Sequence, residues 1–221
     1  MKLFLFALSF ILITACAPAP PKRSAIGDAL WQVQQPRLSQ IERFQLNGRL
    51  AVKTNEDNWT ANVYWKQHTP NYELRFTAPM GQGALRLDGT AQGVILRTAE
   101  QKTYYADNPD ELMREVLKLA LPVSYLYYWV RGIPVPHVAI QDYLPSENGY
   151  LYSLVQADWK VHFDRYQAVQ NVQLPGRIWL ENEQFSARFV ISEWQLDALP
   201  ISNSALKVKL EMPLSNKIWF Y

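Results

Sequence analysis

Alternation of apolar and polar positions runs through most of the chain. Phe44, Leu46, Gly48, Leu50 and Val52 fall on one side and Gln45, Asn47, Arg49, Ala51 and Lys53 on the other, the period-two pattern of a strand with one dry face. Asn55-Glu56-Asp57-Asn58 marks a turn, and Trp59 to Gln67 reads as a second strand around Val63-Tyr64-Trp65. After His68-Thr69-Pro70-Asn71, Tyr72, Leu74 and Phe76 alternate with Glu73, Arg75 and Thr77. Pro79, Gly81 and Gly83 then set a hairpin loop leading to Leu85 and Leu87, because proline presets φ and glycine permits positive φ. A turn is expected at Asp88-Gly89, then strands at Val94 to Thr98, Lys102 to Ala106, Tyr150 to Ala157, Trp159 to Tyr166, Arg177 to Glu181 and Ala187 to Trp194, with one more around Ala205 to Glu211. Short strands joined by short turns describe an antiparallel meander curling toward a barrel.

Three stretches leave this period. Between Ser24 and Ile41, the residues Ile26, Leu30, Val33, Leu38 and Ile41 recur at near-helical spacing beside Trp31, and Pro36 interrupts them, which predicts a kinked or split helix. Asn108 offers a cap, Pro109 suits the first helical position, Asp110 and Glu111 suit the positive end of the dipole, and Leu112, Met113, Val116, Leu117 and Ala120 form an apolar stripe. A further helix is expected from Val123 to about Arg131, ended by Gly132 and Pro134. The expected fold class is therefore mainly β with a helical lid (α+β): a strongly curved antiparallel sheet forming an incomplete β-barrel, with helices plugging the open side.

The N-terminus changes the picture from a free domain to a tethered one. Met1-Lys2 precedes an apolar run, Leu3 to Ile13, too short to span a bilayer and suited to an export signal. The run ends in Ile13-Thr14-Ala15-Cys16, small residues before the only cysteine of the chain. A lone thiol cannot form an internal disulfide or a cysteine metal cluster, and its place fits a lipid-modified cysteine. Ala17-Pro18-Ala19-Pro20-Pro21 follows as a stiff, extended spacer. The chain thus divides into a signal peptide (1–15), a lipidated Cys16 with a proline-rich linker (16–23), and one domain (24–221) of roughly 200 residues, enough for a sizeable core. Lys and Arg number 22 against 20 Asp and Glu, so nothing in the charge points to nucleic acid or a polyphosphate. Aromatic residues make up 13% of the chain, with 12 Tyr, 9 Phe and 8 Trp, more than a small β domain needs to fill its core.

Catalytic patterns are absent from the sequence. It holds no Gly-x-Ser-x-Gly elbow, no His-Glu-x-x-His and no phosphate-cradling glycine loop, and its histidines, His68, His137 and His162, fall at a turn, a proline corner and an outward strand position. No cofactor and no metal are expected. The apolar surplus has two uses open to it. Leu50, Trp65, Leu74, Phe76, Leu117, Trp129 and Trp159 either line a cavity between sheet and helices that takes a fatty ligand or pack on one another as a core. Met80 at the hairpin tip likewise either points into water as an apolar probe or folds back to fill a gap. An envelope scaffold with a packed core, gripping another protein through exposed aromatics, is the alternative to a lipid binder.

Four segments together resemble the LolB family of outer-membrane lipoprotein receptors: Ile13-Thr14-Ala15-Cys16, Thr77-Ala78-Pro79-Met80-Gly81, Trp129-Val130-Arg131-Gly132-Ile133-Pro134 and Trp159-Lys160-Val161. Order and spacing agree from Cys16 to about Trp194. The resemblance implies an open β-barrel capped by helices that receives triacylated lipoproteins from a periplasmic carrier, LolA, and inserts them into the inner leaflet of the outer membrane. It implies a membrane-insertion loop at Pro79, Met80 and Gly81, where the family bears a protruding apolar residue, commonly Leu, needed for delivery. Trp31, Trp65, Trp129, Trp159 and Trp194 fall where the family places tryptophans, as cavity and lid positions. The receptor is expected to be a monomer on the periplasmic face, anchored through Cys16; Ala17 is not the Asp that retains a lipoprotein in the inner membrane by family analogy. Pro36 and the tail after Trp194 depart from the family pattern.

Overall fold

The computed structural model describes residues 21–55, 57–79 and 83–197. Cys16, Met80, Gly81 and the strand expected around Ala205 lie outside them.

The central strand is β1 (Arg43–Thr54), whose dry face carries Phe44, Leu46, Leu50 and Val52, all buried. On one side it pairs antiparallel with β2 (Asn58–His68), and β3 (Asn71–Thr77), β4 (Ala84–Thr90), β5 (Gly93–Arg97) and β6 (Thr103–Ala106) follow outward as a meander. β4 runs through Asp88-Gly89, so the turn expected there falls at Ala91-Gln92 instead. Gly89 is kept by its neighbour: a Cβ on it would sit 2.0 Å from the Tyr72 ring. On its other side β1 pairs with β13 (Phe185–Leu196), through a register shift at Asn47/Gly48 that bends the long pair. Gly48 lies in this bend, where a Cβ would come within 2.5 Å of the Val190 carbonyl oxygen.

Beyond β13 come β12 (Arg177–Glu181), β9 (Trp159–Asp164), β8 (Leu151–Gln156) and β7 (Ile140–Pro145), giving one sheet of 11 strands with β6 and β7 at its edges. A small hairpin of β10 (Gln167–Val169) and β11 (Val172–Leu174) stands apart. β7 and this hairpin carry no strong alternation and go beyond the strands the sequence predicts.

The sheet is an incomplete barrel. The helices α2 (Pro109–Glu115) and α3 (Val123–Trp129) join one edge, β6, to the other, β7. α2 is capped as expected, the Asn108 side chain accepting from Glu111 N at 2.9 Å, but it ends at Glu115 rather than Ala120, and α3 ends at Trp129 rather than Arg131. Pro122 gives α3 no side-chain cap. Asp110 supplies one instead, accepting from Ser124 N at 3.0 Å and from the Ser124 hydroxyl, so the two helices are fastened end to end.

α1 (Ala25–Ser39) is one continuous helix, not a split one. Ser24 caps it, Oγ accepting from Gly27 N at 3.0 Å. Pro36 sits in its last turn; the carbonyl it leaves without a partner belongs to Gln32, an exposed residue within reach of water. Only part of the expected apolar stripe is buried, Leu38 within the helix and Ile41 just beyond it. Gly27, Trp31 and Leu38 face inward, while Ile26 and Val33 are 69% and 59% exposed.

Candidate functional site

The concave face of the sheet and the undersides of the helices enclose one apolar interior. Leu50, Trp65, Leu74, Phe76, Trp129, Trp159 and Trp194 all lie in it, as does Trp31 from α1. Leu117, after the end of α2, is only half-buried against it. The roof rests on the sheet by ring contacts. Trp129 meets Trp159 with centroids 6.1 Å apart, and Tyr127 stacks on Phe44 at 6.4 Å. Phe44 in turn touches Trp65 at 5.7 Å and Trp194 at 5.4 Å, and Trp159 meets Phe185 at 5.3 Å. Between roof and sheet the interior is thus closed ring on ring.

Three indole N–H groups find acceptors inside this apolar space, which the cost of an unpaired buried donor favours. Trp65 donates to Gln67 Oε1 at 3.0 Å, Trp194 to the Pro175 carbonyl at 3.1 Å and Trp129 to Gln156 Oε1 at 3.4 Å. Gln156 also accepts from Val135 N and donates to the carbonyls of Val135 and Val138 at 2.8–2.9 Å. It acts as a rung of ladder between β8 and the chain leaving α3. Arg131 is the third buried polar residue beside Gln67 and Gln156. It donates to the carbonyls of Tyr127, Ser39 and Ile41 at 3.0, 3.4 and 2.9 Å, with its guanidinium 4.0 Å from the centre of the Tyr127 ring. Burial pulls its pKa below the ordinary arginine value, opposed by Tyr127, Tyr128 and Glu42. These three residues are what reading the sequence missed, although alternation places Gln67 and Gln156 on the dry faces of their strands.

The β3–β4 hairpin stands on a rim of the sheet. Its base is closed by the Thr77/Ala84 pair and by Ala78 N donating to Gly83 O at 3.1 Å. Pro79 is exposed, and a Cβ on Gly83 would meet nothing within 4 Å, so the described part of the loop stands clear of the body. The pairings Asn62/Thr77 and Thr54/Phe185 put the tips of the β1–β2 and β12–β13 hairpins at the same end. Between those two tips lies an open cleft of about 790 Å³ whose lining includes Trp59, Trp179, Lys53 and Arg188. A second, of about 740 Å³, is lined by Asp158, Lys160, Glu181 and Glu183. Both are rim features of mixed charge rather than spaces beneath the helices.

Among the described residues the three histidines lie away from the interior. His68 and His137 are exposed. His162 lies on the outer face of β9 but is half-buried, its ring edge-on to Tyr152 at 4.2 Å, and burial lowers its pKa. Among the described residues no three His, Cys, Asp or Glu side chains are placed to hold a metal ion.

A family model described as "Outer membrane lipoprotein LolB" matches residues 42–194. The relative from Nitrosococcus oceani named "Outer-membrane lipoprotein LolB" is 34% identical over 196 residues, covering 88% of this chain and 98% of its own. The one of the same name from Ectopseudomonas mendocina is 32% identical over 196 residues, covering 87% and 95%. Among solved structures, a LolA superfamily protein from Nitrosomonas europaea superposes with a TM-score of 0.50 at 11% identity, covering 78% of this chain and 96% of that one, a likeness of fold. The curved sheet, the helical roof and these matches agree that the chain belongs to the LolB family of outer-membrane lipoproteins.

Proposed function

We propose that this protein is an outer-membrane lipoprotein that takes the acyl chains of other lipoproteins into the apolar interior beneath its helices and delivers them to the inner leaflet of the outer membrane. The observation that carries this reading is the roof. α2 and α3 span the open side of the sheet and rest on it through side chains, so lifting them breaks ring contacts and a few hydrogen bonds but no rung of the β-ladder. The surface so uncovered is lined by Trp31, Leu50, Trp65, Leu74, Phe76, Leu117, Trp129, Trp159 and Trp194, the acyl-chain contacts of this reading. A dozen methylenes moved out of water at about 0.8 kcal/mol each supply roughly 10 kcal/mol before ordering costs. Transfer therefore runs down a gradient of affinities, without catalysis or nucleotide.

Residues 1–15 serve as the signal peptide, Cys16 as the lipid anchor, 16–23 as the linker and 24–221 as a single receiving domain acting as a monomer. The cargo arrives on a LolA-like carrier, and Pro79, Met80 and Gly81 form the loop that engages the bilayer. Met80→Glu tests this assignment, because a carboxylate at the tip resists entering hydrocarbon. The variant is expected to keep uptake of a fluorescent fatty acid displaceable by an acylated lipoprotein and to lose insertion of cargo into liposomes. Unimpaired insertion overturns it. The closed contacts of Trp129 with Trp159 and of Tyr127 with Phe44 favour a second reading, a scaffold with a packed core; failure of the wild type to bind the fatty acid would select that one.

A further inference from the structure

α1 is held by polar contacts at its ends and by packing alone in between, with Leu30 and Trp31 lying against Gly149 of the turn after β7. At its start Arg23 pairs with Asp28 and donates to the Tyr143 carbonyl at 3.4 Å. At its finish Arg131 Nη1 donates to the carbonyls of Ser39 and Ile41. Among the described residues no hydrogen bond joins residues 25–38 to the sheet. Trp31 and Leu38 are the buried side chains that seat it.

Beside Trp31 the seat is not filled. A void of about 140 Å³ separates the helix from β7 and β8. Its walls include Trp31, Leu151 and Leu154, all buried, and its lip includes Ile140, 45% exposed at the start of the edge strand β7. Gln32 and Gln35 border it from the helix. The pocket is open to solvent at this lip, and its buried apolar walls offer a surface that a hydrocarbon chain can cover.

We propose that this seam between α1 and β7 is where an acyl chain of the cargo is admitted. The inference rests on the lipoprotein-receiving function above and adds to it the route and its residues. The chain end lies against Trp31, Leu151 and Leu154 with Ile140 as the outer lip. The amides of Gln32 and Gln35 donate to the ester or amide carbonyls of an acylated cysteine, groups that need a donor once they leave water. Displacing the middle of α1 lengthens the site without breaking a hydrogen bond to the sheet. Opening instead at α3 breaks the Trp129–Gln156 and Thr69–Tyr127 bonds, so the seam is the easier way in.

The test uses the chain from residue 16 onward carrying Cys16→Ala, with a photoreactive benzophenone side chain at position 35 or, as a control on the far rim, at position 184. The probe is a fluorescent palmitate. Irradiation is expected to give an adduct from position 35 and not from 184, suppressed by excess unlabelled palmitate. Ile140→Glu, a change at an exposed position that leaves the melting temperature unaltered, is expected to weaken probe binding about tenfold, because it sets a carboxylate beside the acyl chain. If the probe binds but position 35 gives no adduct, or gives one with a second copy of the chain, or if Ile140→Glu binds as tightly as the wild type, the seam is wrong and the receiving function stands. If the wild type binds no probe, both fall.

Discussion

Gln156 shows how a single buried side chain can hold a fold's two parts together. It bonds the indole of Trp129 in the roof and three backbone groups of Val135 and Val138 from a strand of the sheet. Replacing it with leucine keeps the volume and orphans those groups, each at about 1–3 kcal/mol, so Gln156→Leu is expected to lower unfolding free energy in urea by about 4 kcal/mol or more. A loss below about 0.5 kcal/mol would mean water replaces the amide. His162 makes a pH prediction. Burial lowers its pKa beneath the ordinary value of 6.5, with Asp164 opposing and Arg177 reinforcing the shift, so on acidification the unfolded chain takes up the proton first. Stability is full above pH 6.5 and declines as pH falls from there through the depressed folded value. The variant His162→Phe, which keeps an aromatic edge against Tyr152, is expected to lack that part of the decline when urea midpoints are compared between pH 7.5 and 5.5. At this scale sequence gave the buried positions by alternation, but not that Gln67, Gln156 and Arg131 would be buried for the partners they meet, since those partners come from distant segments.

Among the elements, the strands with one wet and one dry face were the legible ones, and the helices were legible in place but not in extent. α2 stops at Glu115 and α3 depends on Asp110 from its neighbour for a cap. Asp110→Ala should therefore fray α3 and cost about 1–2 kcal/mol, the range of a lost N-cap, seen as an earlier urea midpoint; an unchanged midpoint would show that Ser124 finds water instead. α1 is the element the pattern read only in part. Of its apolar residues at helical spacing, Ile26, Leu30 and Val33 remain exposed, while Leu38 is buried together with Gly27 and Trp31. Helical spacing identifies a face, but which of two apolar faces is buried is decided by what the helix is laid against. β7 and the β10–β11 hairpin were invisible for a related reason: an edge strand and a three-residue ladder need little apolar alternation of their own.

For the molecule as a whole, the closed interior has a kinetic consequence. If the helices must part before an acyl chain enters, the observed rate of fatty-acid binding is expected to rise with probe concentration and then level off at the rate of opening. A rate that stays linear to high concentration, followed by tryptophan fluorescence in stopped flow, would show an interior already accessible. The barrel stays open because its two outer strands, β6 and β7, are linked through helices and do not pair; the aromatic load of the sequence, 13% of residues, then has a concave face and a roof to cover.

By itself the sequence determined most of the strands from Phe44 to Ala106 and from Tyr150 to Trp194, the places of the helices between them, and the family; the anchor at Cys16 and the loop tip at Met80 are proposals it supplies. These are properties of short windows, where period, turn chemistry and motif act locally. Only the tertiary structure decided that β13 returns to β1, that β7 forms the far edge, which side of α1 is wet, that Gln156 binds roof to sheet, and that Arg131 ties the roof to the α1–β1 link. Each of these joins residues far apart in the chain, and the free energy that selects among such pairings comes from burying surfaces whose partners no local pattern names.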